Sequence, residues 1–199
     1  MAMVASASSS FAWKVRGTPR GRAASRVAGS RVRSAGGAGG AGQTSYHFEN
    51  LVVTTQVGIA LYDITPQIEG VLERSGVTNG AVNVISRHTT TALTINELEP
   101  RLVDDVRQFL AKLVPADYPY LHNDLQYREI PVPFVGKWPD DEPINAHSHI
   151  LAMLMGQGES VPVHEGKLVL GTYQSVIFLE LDGQPERQRK IGVQVHGLK

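Results

Sequence analysis

Four of the seven histidines fall in three short polar segments of a 199-residue chain that has no cysteine. Arg87-His88-Thr89-Thr90-Thr91 opens a stretch that runs to Asn96-Glu97, His122 is followed by Asn123 and Asp124, and Asn145-Ala146 precedes His147-Ser148-His149. Imidazoles near carboxylates and amides suit a divalent metal with nitrogen and oxygen ligands. Without cysteine there is no disulfide, thiolate site or Cys nucleophile, so any metal must rest on His, Asp and Glu. The spacings of 34 and 25 residues between His88, His122 and His147 match no short local motif such as His-Glu-x-x-His. Three neutral imidazoles with an open position would suit zinc of the catalytic type, which activates a water or polarises an oxygen.

Each residue also has a plainer reading. His88 shares strand parity with Val82, Val84 and Ser86 and could be a hydrogen-bonded rim residue. If residues 145–155 are helical, His147 and His149 lie about 200° apart around the axis, so only one of them can face a given metal. Glu97 is either a general base or group that orients a ligand, or simply a negative charge before a helix. From Asp182 to Lys190 the chain reads as a hairpin turn followed by a basic cluster, either a solvated turn or a phosphate clamp built on Arg187 and Arg189. His47, His164 and His196 have no accompanying pattern.

The elements that must position these residues are readable from periodicity. β-branched and apolar runs predict strands at 51–55, 59–62, 81–86, 92–95, 168–170, 176–181 and 191–195. Thr65-Pro66 announces a short helix with Ile68, Val71 and Leu72 on one face and Gly76 at its end. Pro100 can open a second, whose stripe is Leu102, Val103, Val106, Phe109, Leu110 and Leu113. A third is expected from Asn145 to Met155 with Gly156 as its cap. Between the last two, the Pro-rich and aromatic segment 115–143 is long enough to be a functional loop or an insertion. Strands at both ends with helices between make an α+β domain of about seven strands and two to four helices.

Composition separates residues 1–42 from the rest. That segment has six Arg, one Lys and no acid, and is otherwise rich in Ala, Ser and Gly. It reads as an organelle transit peptide, chloroplast before mitochondrion, with a basic tail for RNA or an acidic partner as the alternative. Residues 43–199 keep 12 basic against 19 acidic residues, a formal charge of −7, which argues against nucleic acid as the main partner. No apolar run approaches the ~18–20 residues of a membrane span, so a soluble domain is expected.

Over residues 46–197 the chain resembles the YjbQ-like family, often labelled secondary thiamine-phosphate synthase. The resemblance rests on His88-Thr89-Thr90-Thr91-Ala92-Leu93-Thr94-Ile95-Asn96-Glu97, His122, Asn145-Ala146-His147, Pro162-Val163, and Gly166-Lys167-Leu168-Val169-Leu170-Gly171-Thr172-Tyr173-Gln174. It implies an α+β fold with packed β-sheets, assembled as a homotrimer, and a metal-type histidine cluster, in which His88, His122 and His147 fall on the recurrent histidines and His149 on a varying position. Three departures stand out: Tyr173 where the family has Trp, Gln184 interrupting an Asp-Gly-Pro-Arg turn, and a longer segment at 125–143. The implied reaction joins a pyrimidine methyl diphosphate to a thiazole phosphate, with Arg187 or Arg189 assisting the departing diphosphate. Histidine ligands favour zinc over magnesium, which prefers oxygen. The other expectations are a zinc-dependent hydrolase of a small phosphorylated or carbonyl metabolite with Glu97 as base, and a non-catalytic metabolite-binding trimer.

Overall fold

A computed structural model describes residues 42–130, 137–184 and 186–199. The leader reading for residues 1–41 lies outside these. The described part contains eight strands and three α-helices: β1 (Thr44–Thr54), β2 (Gly58–Asp63), α1 (Thr65–Ser75), β3 (Asn79–Ser86), β4 (Thr91–Asn96), α2 (Pro100–Leu113), α3 (Ala146–Met155), β5 (Gly158–His164), β6 (Lys167–Leu168), β7 (Ser175–Gly183) and β8 (Gln188–Leu198). The strands form two antiparallel sheets, a five-stranded one ordered β1-β8-β3-β5-β6 and a three-stranded one ordered β2-β7-β4.

The expected α+β architecture is what the chain adopts, with one strand more than its periodicity suggests. β5 was unread because Pro162 breaks the run Gly158–His164 and no β-branched block marks it. It is accommodated because the β6 ladder covers only Val163 and His164, so Pro162 lies beyond it, and the Pro162 carbonyl accepts from the Val169 amide.

Two cores follow from the layers. Val82 and Val84 of β3, Val161 and Val163 of β5, and Ile191, Val193 and Val195 of β8 face Leu93, Val176 and Phe178 of the smaller sheet, with Ile68, Val71 and Leu72 of α1 alongside. The other face of the smaller sheet, Ala92, Ile177, Leu179 and Leu181, packs on Leu110 of α2 and on Leu151 and Ala152 of α3. Burial of each such side chain is worth roughly 1.5–3 kcal/mol. β7 is therefore covered on both faces, and its sequence is correspondingly a continuous apolar run interrupted only by Glu180 and Asp182.

Local detail corrects three expectations. Thr65 does not cap α1: its hydroxyl accepts from the Val176 amide, while Asp63 Oδ1 accepts from the Thr65 amide at 2.8 Å. The predicted stripe of α2 is only partly covered, since Leu110 is buried but Phe109 and Leu113 are exposed. β7 and β8 do not pair as a hairpin: β7 already has β2 and β4 as neighbours, so the chain turns at Gly183 (φ 72°) and β8 joins the other sheet.

Candidate functional site

Of the connections that cross between the sheets, two bound one groove: residues 87–90 from β3 to β4 and the turn from β7 to β8. The first is tied to both strands of the second, the Leu181 amide of β7 donating to the Thr90 carbonyl and Arg189 Nη2 of β8 reaching Thr90 Oγ1 at 3.3 Å. The start of α3 closes the third side. Asn123 Oδ1 accepts from the Ala146 amide, and Ser148 Oγ donates to the Leu181 carbonyl at 2.7 Å, which fixes the helix against β7. The result is a polar groove of about 360 Å³ whose wall includes His88, Thr89, Asn145, His149, Asp182 and Arg187.

Beneath it lies a buried charge network that ties the sheets together. Glu180 is fully buried and grips Arg189 with both oxygens, at 2.6 Å to Nε and 2.9 Å to Nη2. Glu180 Oε1 also accepts from the Asp182 amide. Asp182 in turn accepts from Asn145 Nδ2 at 3.0 Å and lies 3.5 Å from Arg189 and 3.7 Å from Arg187. Charges this deep are tolerable only because every one has a partner. Arg189 spends its guanidinium on Glu180 and Thr90, whereas Arg187 keeps a more exposed side chain at the mouth.

The four histidines of the polar segments are placed unequally. His88 Nε2 accepts from the Lys190 amide at 2.8 Å. His122, in the 3₁₀ turn Leu121–Asn123, meets His149 edge to face with ring centroids 4.8 Å apart. His149 also lines a neighbouring apolar hollow walled by Tyr120, Leu121, Ile150 and Met153. His147 stands on another side of α3, as the helical geometry requires, and its Nδ1 is buried without a hydrogen bond. Burial holds all four below the usual imidazole range, helped by the guanidinium groups of Arg189 at His88 and of Arg128 at His122. For His149 the nearby Asp182 carboxylate opposes the shift in part. All four are therefore neutral near pH 7.

Glu97 lies elsewhere. It follows β4 at the end opposite Thr90, and five residues of strand span roughly 17 Å. There it shares a second groove with Asp63, Glu99, Tyr173, Gln174 and Ser175. Tyr173, the residue that replaces a family Trp, belongs to this second groove and not to the histidine one. Among the described residues no three of His, Asp and Glu converge as a metal cage. Thus His88, His149, Arg187 and Arg189 come together, His122 touches the group through His149, and Glu97 does not join it. Sequence reasoning passed over Glu180 and Asp182. The available signal was a pair of carboxylates inside the otherwise apolar strand Val176–Leu181 and its end, where a charge must find a buried partner.

The family model described as "UPF0047 protein YjbQ-like" matches residues 49–198. The chain belongs to the YjbQ-like UPF0047 family. Its UPF0047 relatives include a Methanothermobacter thermautotrophicus protein, 42% identical over 149 residues, 75% of this chain and 91% of the relative. Another from Synechocystis is 35% identical over 76% of this chain and 92% of its own length. Among solved structures, a protein of unknown function from Sulfolobus solfataricus is 31% identical with a TM-score of 0.67, over 78% of this chain and 99% of that one. A YjbQ/UPF0047 protein from Clostridium acetobutylicum is 32% identical with a TM-score of 0.60, over 73% and 97%. The YjbQ-like fold thus accounts for both sheets and the helices that bound the groove.

Proposed function

We propose that the groove between the β3–β4 and β7–β8 connections binds a small phosphorylated metabolite and that the protein acts on it as a transferase, with thiamine phosphate synthesis as the reaction to test first. The observation that carries this reading is the convergence of neutral His88 and His149, Asn145 and Arg187 above the buried Glu180–Arg189 pair. Arg187 supplies a forked permanent cation for phosphoryl oxygens. Arg189 acts through position: it holds Glu180, and Glu180 fixes Asp182, which orients Asn145. For the condensation of a pyrimidine methyl diphosphate with a thiazole phosphate, Arg187 would neutralise the departing diphosphate.

The test incubates the full chain with the two phosphorylated precursors, with zinc or magnesium added in parallel. Thiamine phosphate should form, and R187A should lower its rate. No product with either ion removes this reaction.

A metal reading has one observation in its favour, the His122–His149 pair at 4.8 Å, with both rings held neutral by burial. Two such imidazoles suit zinc and not magnesium. Elemental analysis of the dialysed protein decides it: stoichiometric zinc that disappears in H149A supports a metal centre, and its absence from both supports metal-free binding. Homotrimeric assembly belongs to the same proposal, and light scattering should then give three times the chain mass of 21.6 kDa. An organelle leader over residues 1–42, chloroplast before mitochondrion, belongs to the same proposal: its acid-free composition rich in Arg, Ala and Ser supports it, and a fluorescent fusion of those residues tests it.

A further inference from the structure

β3 leaves its pairing with β8 at Ser86, yet the chain beyond it stays tied to that strand. The Arg87 amide donates to the Lys190 carbonyl at 3.2 Å, and the Lys190 amide donates to His88 Nε2 at 2.8 Å. The imidazole thus stands where the next backbone carbonyl of a ladder would be. Its partner cannot drift, because the adjacent Arg189 is locked by Glu180 and Thr90. The His88 carbonyl is held as well, by Gln157 Nε2 at 2.8 Å and by the Thr91 hydroxyl.

A backbone amide can only donate. Nε2 must therefore present a lone pair, and the proton of the neutral ring sits on Nδ1. We infer that His88 is a fixed hydrogen-bond donor that selects an anionic oxygen, and not a metal ion, in the groove it lines. This rests on the reading of the groove as an anion site. The metal alternative meets an obstacle of wiring. A metal-binding histidine usually donates its second ring N–H to an acceptor, while His88 receives a proton donor there. Coordination through Nδ1 would require removal of its proton, and coordination through Nε2 would break the Lys190 bond. With Nδ1–H as donor and Arg187 as cation, the groove offers an oxygen anion such as a phosphoryl group both charge complementarity and a directed hydrogen bond.

Two-bond proton–nitrogen spectra of the ¹⁵N-labelled full chain read the tautomer directly, and titrations with inorganic phosphate and with zinc read the ligand class. Protonated Nδ1 and unprotonated Nε2 are expected. H88A should weaken phosphate binding about tenfold, while H88Q, whose amide oxygen can take the Lys190 N–H and whose NH₂ can donate, should stay within about threefold of the original. Zinc uptake should be the same in all three proteins. A proton on Nε2, zinc uptake lost in H88A, or phosphate binding unchanged in H88A would overturn the inference. Failure of phosphate to bind the unaltered protein would refute the anion-site reading beneath it, while the tautomer measurement still reads the His88 wiring by itself.

Discussion

The two ends of β4 carry polar grooves of similar size but different construction. At the Thr90 end, Glu180, Asp182 and Arg189 are buried and bridge two sheets, and the histidines around them are held neutral. At the Glu97 end Glu99 and Asp63 take backbone amides two or three residues away, and Asp63 adds one side-chain bond. Glu99 caps α2 by accepting from the Arg101 and Leu102 amides at 3.0 and 2.8 Å, and Asp63 accepts from the Thr65 amide and the Ser175 hydroxyl. A short-range cap can be written into three or four residues, whereas a charge network across sheets needs the whole sandwich. The first kind stabilises a helix. The second kind preorganises a site, since its partners have no freedom to follow solvent.

Substitutions can widen or erase this contrast. The largest effect is expected at the buried pair: E180A should cost about 3–5 kcal/mol in denaturant unfolding, because it strands the Arg189 charge. Replacing both partners together, E180L with R189M, should recover most of that loss; a double variant no better than the single one would mean the pair is not the source. At the mouth of the same groove, R187A should reduce phosphate affinity about tenfold with little change in stability, as titration calorimetry can measure. At the other end, E99A should cost about 1 kcal/mol through loss of the α2 cap, without touching phosphate binding.

Acidification separates the ends again. His88, His122, His147 and His149 have folded values below the ordinary 6.5, so the unfolded chain binds more protons as pH falls. Their contribution to stability is present above about pH 6.5 and is lost progressively below it, which melting temperatures between pH 7.5 and 5 should show. The H149A variant should flatten that dependence. The smallest effect is expected for E97Q, within about 0.5 kcal/mol in stability and without change in any groove-dependent turnover. A large loss of turnover would bring Glu97 back as a base.

Much of the fold is legible along the chain. Gly76 ends α1 with φ at 68°, the predicted helix at 145–155 forms, and alternation in Ile191–Val195 marks β8 correctly. These features depend on neighbours within a few residues. β5 escaped because a proline inside a short strand removes the local signal, although an outer position in the sheet tolerates it. The site is less legible. The three polar segments are visible in the sequence, and so is the family, because ordered motifs survive as strings of residues.

What only the tertiary structure decided is which members of those segments meet. His88 reaches Lys190 across 102 residues, Arg189 reaches Thr90 across 99, and Asn145 reaches Asp182 across 37. Those meetings follow from the pairing of β3 with β8, the packing of the two sheets and the seat of α3 on β7, none of which local periodicity encodes. The same topology turns Arg189 inward to Glu180, leaves Arg187 at the mouth, and carries Glu97 to the far end of β4. The sequence alone determined that the chain has strands at both ends, helices between them and histidines enough for chemistry. Long-range strand pairing determined which of them share a groove, since side chains distant in sequence are brought together only when the sheets that carry them are packed.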